Sequence, residues 1–330
     1  MHERKQVLPR HRGGRLQLKG GTGGITGMYG LKDFMEVYKS DHTFRIQTPE
    51  ILDPGETVPD IPWVVSEVPG VGSANPIVAR VFVQSAEALA QKTFKTKVDD
   101  KQILELMHAC KEDLLICEGV HARLKPEYLD IVGKIERKEL AQEGRVLNPF
   151  PQIPDLTAHA TAFLTASKRA SQRVAAMFSE FYGAQINNPR FDKILAHVTR
   201  HRPDYQKYIQ FLDENLKTVT SILDLRNFQE HPTSSKKTTI NNFRLTPKGI
   251  RPPSWQVTGN PESPMIDDMG TILEFMISFA ESNFFYCLLD SIGGWIPWRL
   301  VELPEDKRNK DCPIRYKLEI DISQLPIKQN

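Results

Sequence analysis

Helical periodicity constrains this chain more than any other feature, with apolar residues recurring at three- and four-residue spacing from about Pro76 to about residue 292. The segments near 76–96, 101–118, 126–143, 156–182, 189–200, 204–231 and 265–291 carry the pattern. A chain of this kind buries its apolar faces helix against helix. Pro76 and Pro126 stand where a first helical turn tolerates a missing amide, and Gly144, Gly183 and the pair Gly293-Gly294 follow helical runs as stops. The firmest break is Asn148-Pro149-Phe150-Pro151-Gln152-Ile153-Pro154, because three prolines in six positions cannot continue a helix. A subdomain border is expected there.

Outside the helical region the signals are extended. From Arg12 to about Asn75 the chain is rich in glycine and proline, with short strand candidates at Arg15 to Leu18, Thr43 to Ile46 and Trp63 to Val65. This predicts an irregular, partly β arm. Between the last two long helical segments, Lys237 to Leu245 alternates as a strand and Ser254 to Val257 can pair with it, so a β-hairpin insertion is expected. Trp298 to Leu303 and Ile314 to Ile322 give a second pair, joined by the charged turn Pro304 to Asp311 and expected to extend the same small sheet. The predicted fold is therefore mainly α: an antiparallel helical bundle with a small β-hairpin insertion, β-strand decoration and an irregular Gly/Pro-rich N-terminal arm. The divisions fall at 1–75 (arm), 76–150 (helical subdomain), 151–292 (bundle, carrying the insertion 233–264) and 293–330 (C-terminal β-hairpin). No internal repeat is evident.

Composition narrows the function classes. With 330 residues, 40% hydrophobic, 25% charged and a net charge of +2, the chain can bury a sizeable core but has no global field for nucleic acid, so a nucleic-acid partner must act through local patches. Four cysteines with no C-x-x-C spacing make neither a disulfide framework nor a zinc knuckle, and a cytoplasmic setting is expected. Met1-His2-Glu3-Arg4-Lys5 is followed by no apolar core of the length a secretory signal needs. The apolar stretch Ile272 to Ile296 contains Glu274, Glu281 and Asp290, so it reads as a buried amphipathic helix and no membrane partner is expected. Those carboxylates can support a site from the last helix or pair with bundle arginines such as Arg169 or Arg173.

Several catalytic and cofactor patterns are missing or imperfect. The run Gly20-Gly21-Thr22-Gly23-Gly24-Ile25-Thr26-Gly27 suggests a phosphate loop, but Thr26 replaces the third glycine of a dinucleotide fingerprint and no Gly-Lys-Ser/Thr follows. It reads as a turn or partner-contacting arm, and no cofactor is expected. His108, Cys110, Cys117 and His121 hold ligand-type side chains; Cys110 and Cys117 lie near one helical face and read as buried small apolar residues, with no metal site expected. Neither a G-x-S-x-G elbow nor an H-E-x-x-H helix occurs.

The sharpest signal is Leu225-Arg226-Asn227-Phe228-Gln229-Glu230-His231-Pro232, at the end of a helix whose core face is marked by Tyr208, Phe211, Leu212, Leu216, Val219 and Leu223. Asn227 and His231, four residues apart, share a face, and Arg226 can reach around to them. A guanidinium suits phosphate, an imidazole moves protons near neutrality, and together they suit phosphodiester cleavage without a metal. Arg190 and His197 satisfy a looser version of the spacing but lack the asparagine. Pro232 to Pro261 then carries Lys236, Lys237, Arg244, Lys248 and Arg251 with no acidic residue, and Phe243 and Trp255 as candidate stacking surfaces. A second basic segment, Arg190 to Lys207, is diluted by Asp192 and Asp204.

Arg226, Asn227 and His231 resemble the motif of the HEPN superfamily of nucleotide-binding helical domains, in which arginine, a polar residue and histidine close one long helix and another follows. The resemblance covers about residues 155–292. It implies a HEPN-like bundle that acts as a homodimer, the two motifs meeting to cleave RNA without a metal. His231 would be general acid or base, Arg226 would stabilise phosphoryl charge, and Asn227 would position either of them. It also implies a toxin or phage-defence setting, with a protein partner or antitoxin, and the basic stretch after His231 is expected to contact RNA through Lys236, Lys237, Arg244, Lys248, Arg251 and Trp255. The alternative is a non-catalytic dimerisation or binding module.

Overall fold

A computed structural model describes residue 10 and residues 16–90, 93–183, 186, 190–293 and 296–321. The chain divides into two compact units, one of Met1–Glu105 with Leu288–Asn330, the other of Leu106–Cys287.

In the first unit, β1 (Gly27–Gly30), β2 (Met35–Tyr38), β3 (His42–Gln47) and β4 (Val64–Pro69) form an antiparallel sheet in sequence order. The register sets Met28 opposite Val37 and Val37 opposite Phe44, so one face is apolar, and Val37, Phe44 and Ile46 are its buried core with Leu18 and Met35 against them. The segment expected to be an irregular, partly β arm thus carries an ordered four-stranded sheet. At Gly72 an added Cβ would lie 2.3 Å from the Lys39 carbonyl oxygen, a separation only glycine permits. Thr43 to Ile46 and Trp63 to Val65 fall in or beside β3 and β4, whereas residues 16–18 form no strand and Arg15 lies outside the described residues. One helical turn, α1 (Pro49–Leu52), is held by Arg10, whose guanidinium bonds Asp53 Oδ2 at 2.6 Å and the Pro49 and Asp53 carbonyls. A π-wound stretch, Val78–Val83, leads into α2 (Gln84–Leu89).

The long helix α3 (Asp100–Glu136), most of it in the second unit, runs through Pro126 without a break, so the two helices expected at 101–118 and 126–143 are one. The two-residue strands β5 (Gln142–Glu143) and β6 (Val146–Leu147) turn at Gly144. The proline segment after them lies inside the second unit, where Asn242 pairs with the Ile153 backbone through both of its side-chain atoms. Next come α4 (Leu156–Tyr182), which ends at a left-handed Gly183, then α5 (Phe191–His201) and α6 (Gln206–Glu230). The insertion that follows is two small sheets. β7 (Thr238–Asn241), β10 (Ser254–Val257) and β11 (Ser263–Pro264) pair around β10, while β8 (Arg244–Thr246) and β9 (Gly249–Arg251) form a separate hairpin. α7 (Met265–Ser291) follows directly.

After α7, β12 (Trp298–Glu302) pairs with β13 (Tyr316–Ile320) as a sheet of its own rather than as an extension of the insertion; Ile322 and Gly294 lie outside the described residues. Half of the chain is helical and 18% is in strands. This overturns the antiparallel helical bundle with β decoration: the molecule is mixed α and β, because short strands held by turns and cross-strand pairs form where the chain shows only weak period-two patterning. Among the described residues α7 is long and apolar enough to cross a membrane by length and composition, and 56% of its most apolar stretch is buried inside the protein.

Candidate functional site

The end of α6 is fixed from three sides. Tyr208, Leu212, Val219 and Ile222 are buried along its inner face, and Gln229 reaches Thr161 on α4 at 2.5 Å. From the insertion, Thr238 Oγ1 donates to the Leu225 carbonyl at 2.8 Å, and the Lys236 ammonium sits 5.0 Å from the centre of the Phe228 ring. The helix stops because Pro232 cannot supply an amide. His231 caps it, its N–H donating to the Asn227 carbonyl at 2.8 Å.

The three motif residues have different surroundings. Arg226 is mostly buried and forms an ion pair with Glu230 one turn on in the same helix. The Asn227 side chain turns to α4, where its Oδ1 accepts from Lys168 Nζ at 2.9 Å. Loss of solvent, and then repulsion from Arg226, holds the Lys168 ammonium below the ordinary lysine pKa. His231 is 75% exposed, with Nε2 3.4 Å from Glu230 Oε2. It has left helical geometry, so the expected shared face with Asn227 is not formed: Asn227 meets α4 and His231 meets solvent.

Beside this cluster lies a cavity of about 310 Å³ lined by α4, α5 and α6. Lys168 and Asn227 stand at its motif end; Ser171, Asp224, Val219 and Phe191 line the remainder. Lys168, Glu230 and Asp224 had not been singled out from the sequence. Glu230 was legible as the i+4 partner of Arg226, whereas Lys168 lies 59 residues away in the chain.

The basic insertion is less basic than its sequence. Glu262, one residue beyond the stretch free of acids, binds both Arg244 and Arg251, the latter at 3.1 Å. Its carboxyl is held below the usual range by the Ser254 hydroxyl first and then by Arg244. Lys236, Lys237 and Lys248 remain exposed. Trp255 is 1% exposed and donates from Nε1 to Asp268 at 2.7 Å. Phe243 is 3% exposed and stacks on Tyr128. Neither ring offers a face for a base, because each is spent on the core.

The other candidates have local partners. Cys110 and Cys117 are buried, and burial pushes the Cys117 thiol up to about 12. Arg169 pairs with Asp113 at 2.6 Å rather than with a carboxylate of α7. Arg190 pairs with Asp192 in its own turn, and His197 packs edge-on against Phe178. The glycine run leads into a strand, not a helix, and the Thr22 amide binds the Asp41 carboxylate, which it helps to hold down at about 2. Comparison of the chain with protein-family models, with curated proteins and with solved structures gives no match.

Proposed function

We propose that the chain is a metal-independent endoribonuclease acting at the C-terminal end of α6. The observation that carries this reading is the solvent-exposed His231 at the end of a helix whose preceding turn holds Arg226, Asn227 and, through Asn227, Lys168. RNA brings its own nucleophile. Its 2′-hydroxyl attacks the adjacent phosphorus, the 5′-oxygen of the next nucleotide leaves, and a 2′,3′-cyclic phosphate remains. His231 moves the proton at one of these oxygens, while Arg226 exchanges Glu230 for the phosphate oxygens as negative charge builds. A homodimer supplies a second His231 for the other proton. Lys236, Lys237 and Lys248 lead the RNA backbone toward the site. A cytoplasmic toxin or phage-defence role, with a protein partner that restrains it, belongs to the same proposal.

A second reading is a non-catalytic binding or dimerisation module. The Arg226–Glu230 ion pair favours it, since a guanidinium already paired contributes less to phosphate binding.

Cleavage products decide between them. Purified protein in excess EDTA is expected to cut RNA and leave 2′,3′-cyclic phosphate ends, because neither proton transfer nor guanidinium stabilisation uses an ion. Replacing Lys236, Lys237 and Lys248 by alanine should lower the slope of log K against log salt by about 2, since fewer counterions are released on single-stranded RNA. Folded protein that binds RNA and leaves it intact supports the second reading instead.

A further inference from the structure

The cavity between α4, α5 and α6 lies within one unit and has a chemistry the proposed cleavage does not use. Two polar side chains there have no partner. Ser171, 3% exposed overall, lines the cavity, and among the described residues its hydroxyl has no hydrogen-bond partner, although it is not closed off from solvent. Asp224, half-buried across from it on α6 and shared with a neighbouring cavity, has no ion pair or hydrogen bond among the described residues. A hydroxyl and a carboxylate that open onto a cavity are available to a ligand's donors and acceptors. The bonds of Gln229 to Thr161 and of Asn227 to Lys168 show that α4 and α6 run antiparallel. The same sense of pairing carries Ser171 to the level of Asp224.

The cavity's size falls in the range of small-ligand sites, and its floor of Val219, Leu223 and Phe191 is apolar. Beside Gln172, Thr220 and the paired Arg190 and Asp192, its polar lining offers an acceptor, Asp224, with a donor, Ser171, at the same level, and a cation, Lys168, one turn nearer His231. Two parallel N–H donors are what a carboxylate accepts best. Among the four RNA bases only guanine presents two adjacent donors, N1–H and the 2-amino group, with an acceptor, O6, next to them. Adenine and cytosine place a ring-nitrogen lone pair where the second donor must be, and uracil has a single donor between two carbonyls. Asp224 and His231 are seven positions apart, about 10 Å along the helix. One nucleotide spans that distance from base edge to 3′-phosphate.

We propose that this cavity is a guanine subsite, Asp224 accepting from N1–H and the 2-amino group, Ser171 donating to O6 and Lys168 facing the phosphate. It deepens the ribonuclease reading and rests on it for its role, since it makes the enzyme cut next to guanosine; binding itself is measured without cleavage.

The test is calorimetric titration of the full chain, in EDTA, with the 3′-monophosphates of guanosine (GMP), inosine (IMP), adenosine (AMP), cytidine (CMP) and uridine (UMP) and with inorganic phosphate. GMP should bind at least about tenfold more tightly than AMP, CMP or UMP. IMP, which lacks only the 2-amino group, should lose about tenfold relative to GMP, the worth of one hydrogen bond to a charged acceptor. Asp224→Asn should remove the preference for GMP, and Lys168→Met should weaken all the nucleotides alike. The GMP and IMP comparison uses the unaltered protein, so it stands even where a variant fails to fold. Equal affinity for GMP and IMP, no binding of GMP, or binding matched by phosphate alone overturns the proposal. GMP selectivity without RNA cleavage leaves the subsite standing and removes the ribonuclease; cleavage with no preference for guanosine does the reverse.

Discussion

The residue on which the site turns is Lys168. Its ammonium is tied to Asn227 and repelled by Arg226, and loss of solvent is the larger of the two effects that lower its pKa. Arg226→Met should therefore move the lysine's titration upward, only part of the way to that of an ordinary lysine, as followed by carbon NMR of the lysine side chains. An unchanged titration would mean that the guanidinium's charge does not reach Lys168. A second residue-scale prediction concerns Tyr208, whose hydroxyl donates to Asn283 Oδ1 at 3.1 Å in the buried contact between α6 and α7. Tyr208→Phe should cost about 1–3 kcal/mol in denaturant unfolding, because Asn283 keeps a buried acceptor without its donor. At this scale the sequence was legible where a partner is local, as Glu230 is to Arg226 one turn away. It was not legible where a partner arrives from another helix, as Lys168 does, since spacing along the chain carries no information about which helices pack together.

Among the elements, the insertion between α6 and α7 depends most on one side chain. Glu262 receives Ser254, Asn241, Arg244 and Arg251, and so joins the β8–β9 hairpin to the sheet of β7, β10 and β11. Its folded pKa lies below the unfolded value, so the stability it contributes is complete above about pH 4.5 and is lost as the pH falls through the folded value. Glu262→Gln should lower the thermal midpoint at neutral pH and flatten the acid limb of the wild-type curve; a variant whose midpoint falls as steeply on acidification would show that other carboxyls carry the effect. Arg244 belongs to this structural cluster, which is why the exposed lysines are the better probes of RNA contact. The strand pairs 238–241 with 254–257 and 298–302 with 316–320 were readable from alternation. Of the N-terminal sheet β3 and the start of β4 were readable but β1 and β2 were not, because they are four residues long and lie among glycines that dominate the local pattern. Pro126 misled in the opposite direction: α3 absorbs one missing amide within 37 residues of otherwise continuous helix.

For the molecule as a whole, helical periodicity was real but did not specify architecture. Among the described residues, helices from the six-residue α2 to the 37-residue α3 coexist with five small sheets, and the second compact unit combines α4, α5 and α6 with the sheet of β7, β10 and β11 that braces the end of α6. That bracing leaves His231 free of structural duty. An exposed histidine at a helix C-terminus contributes only about 0.3–1 kcal/mol through the helix dipole, so its proposed role in cleavage and its part in stability are separable. The most direct test of the central claim is RNA cleavage by His231→Ala, measured beside the wild type at matched concentration in EDTA, with thermal midpoints recorded for both. The account predicts that cleavage disappears while the midpoint shifts by no more than a few degrees. Cleavage that persists in a folded His231→Ala protein would contradict it.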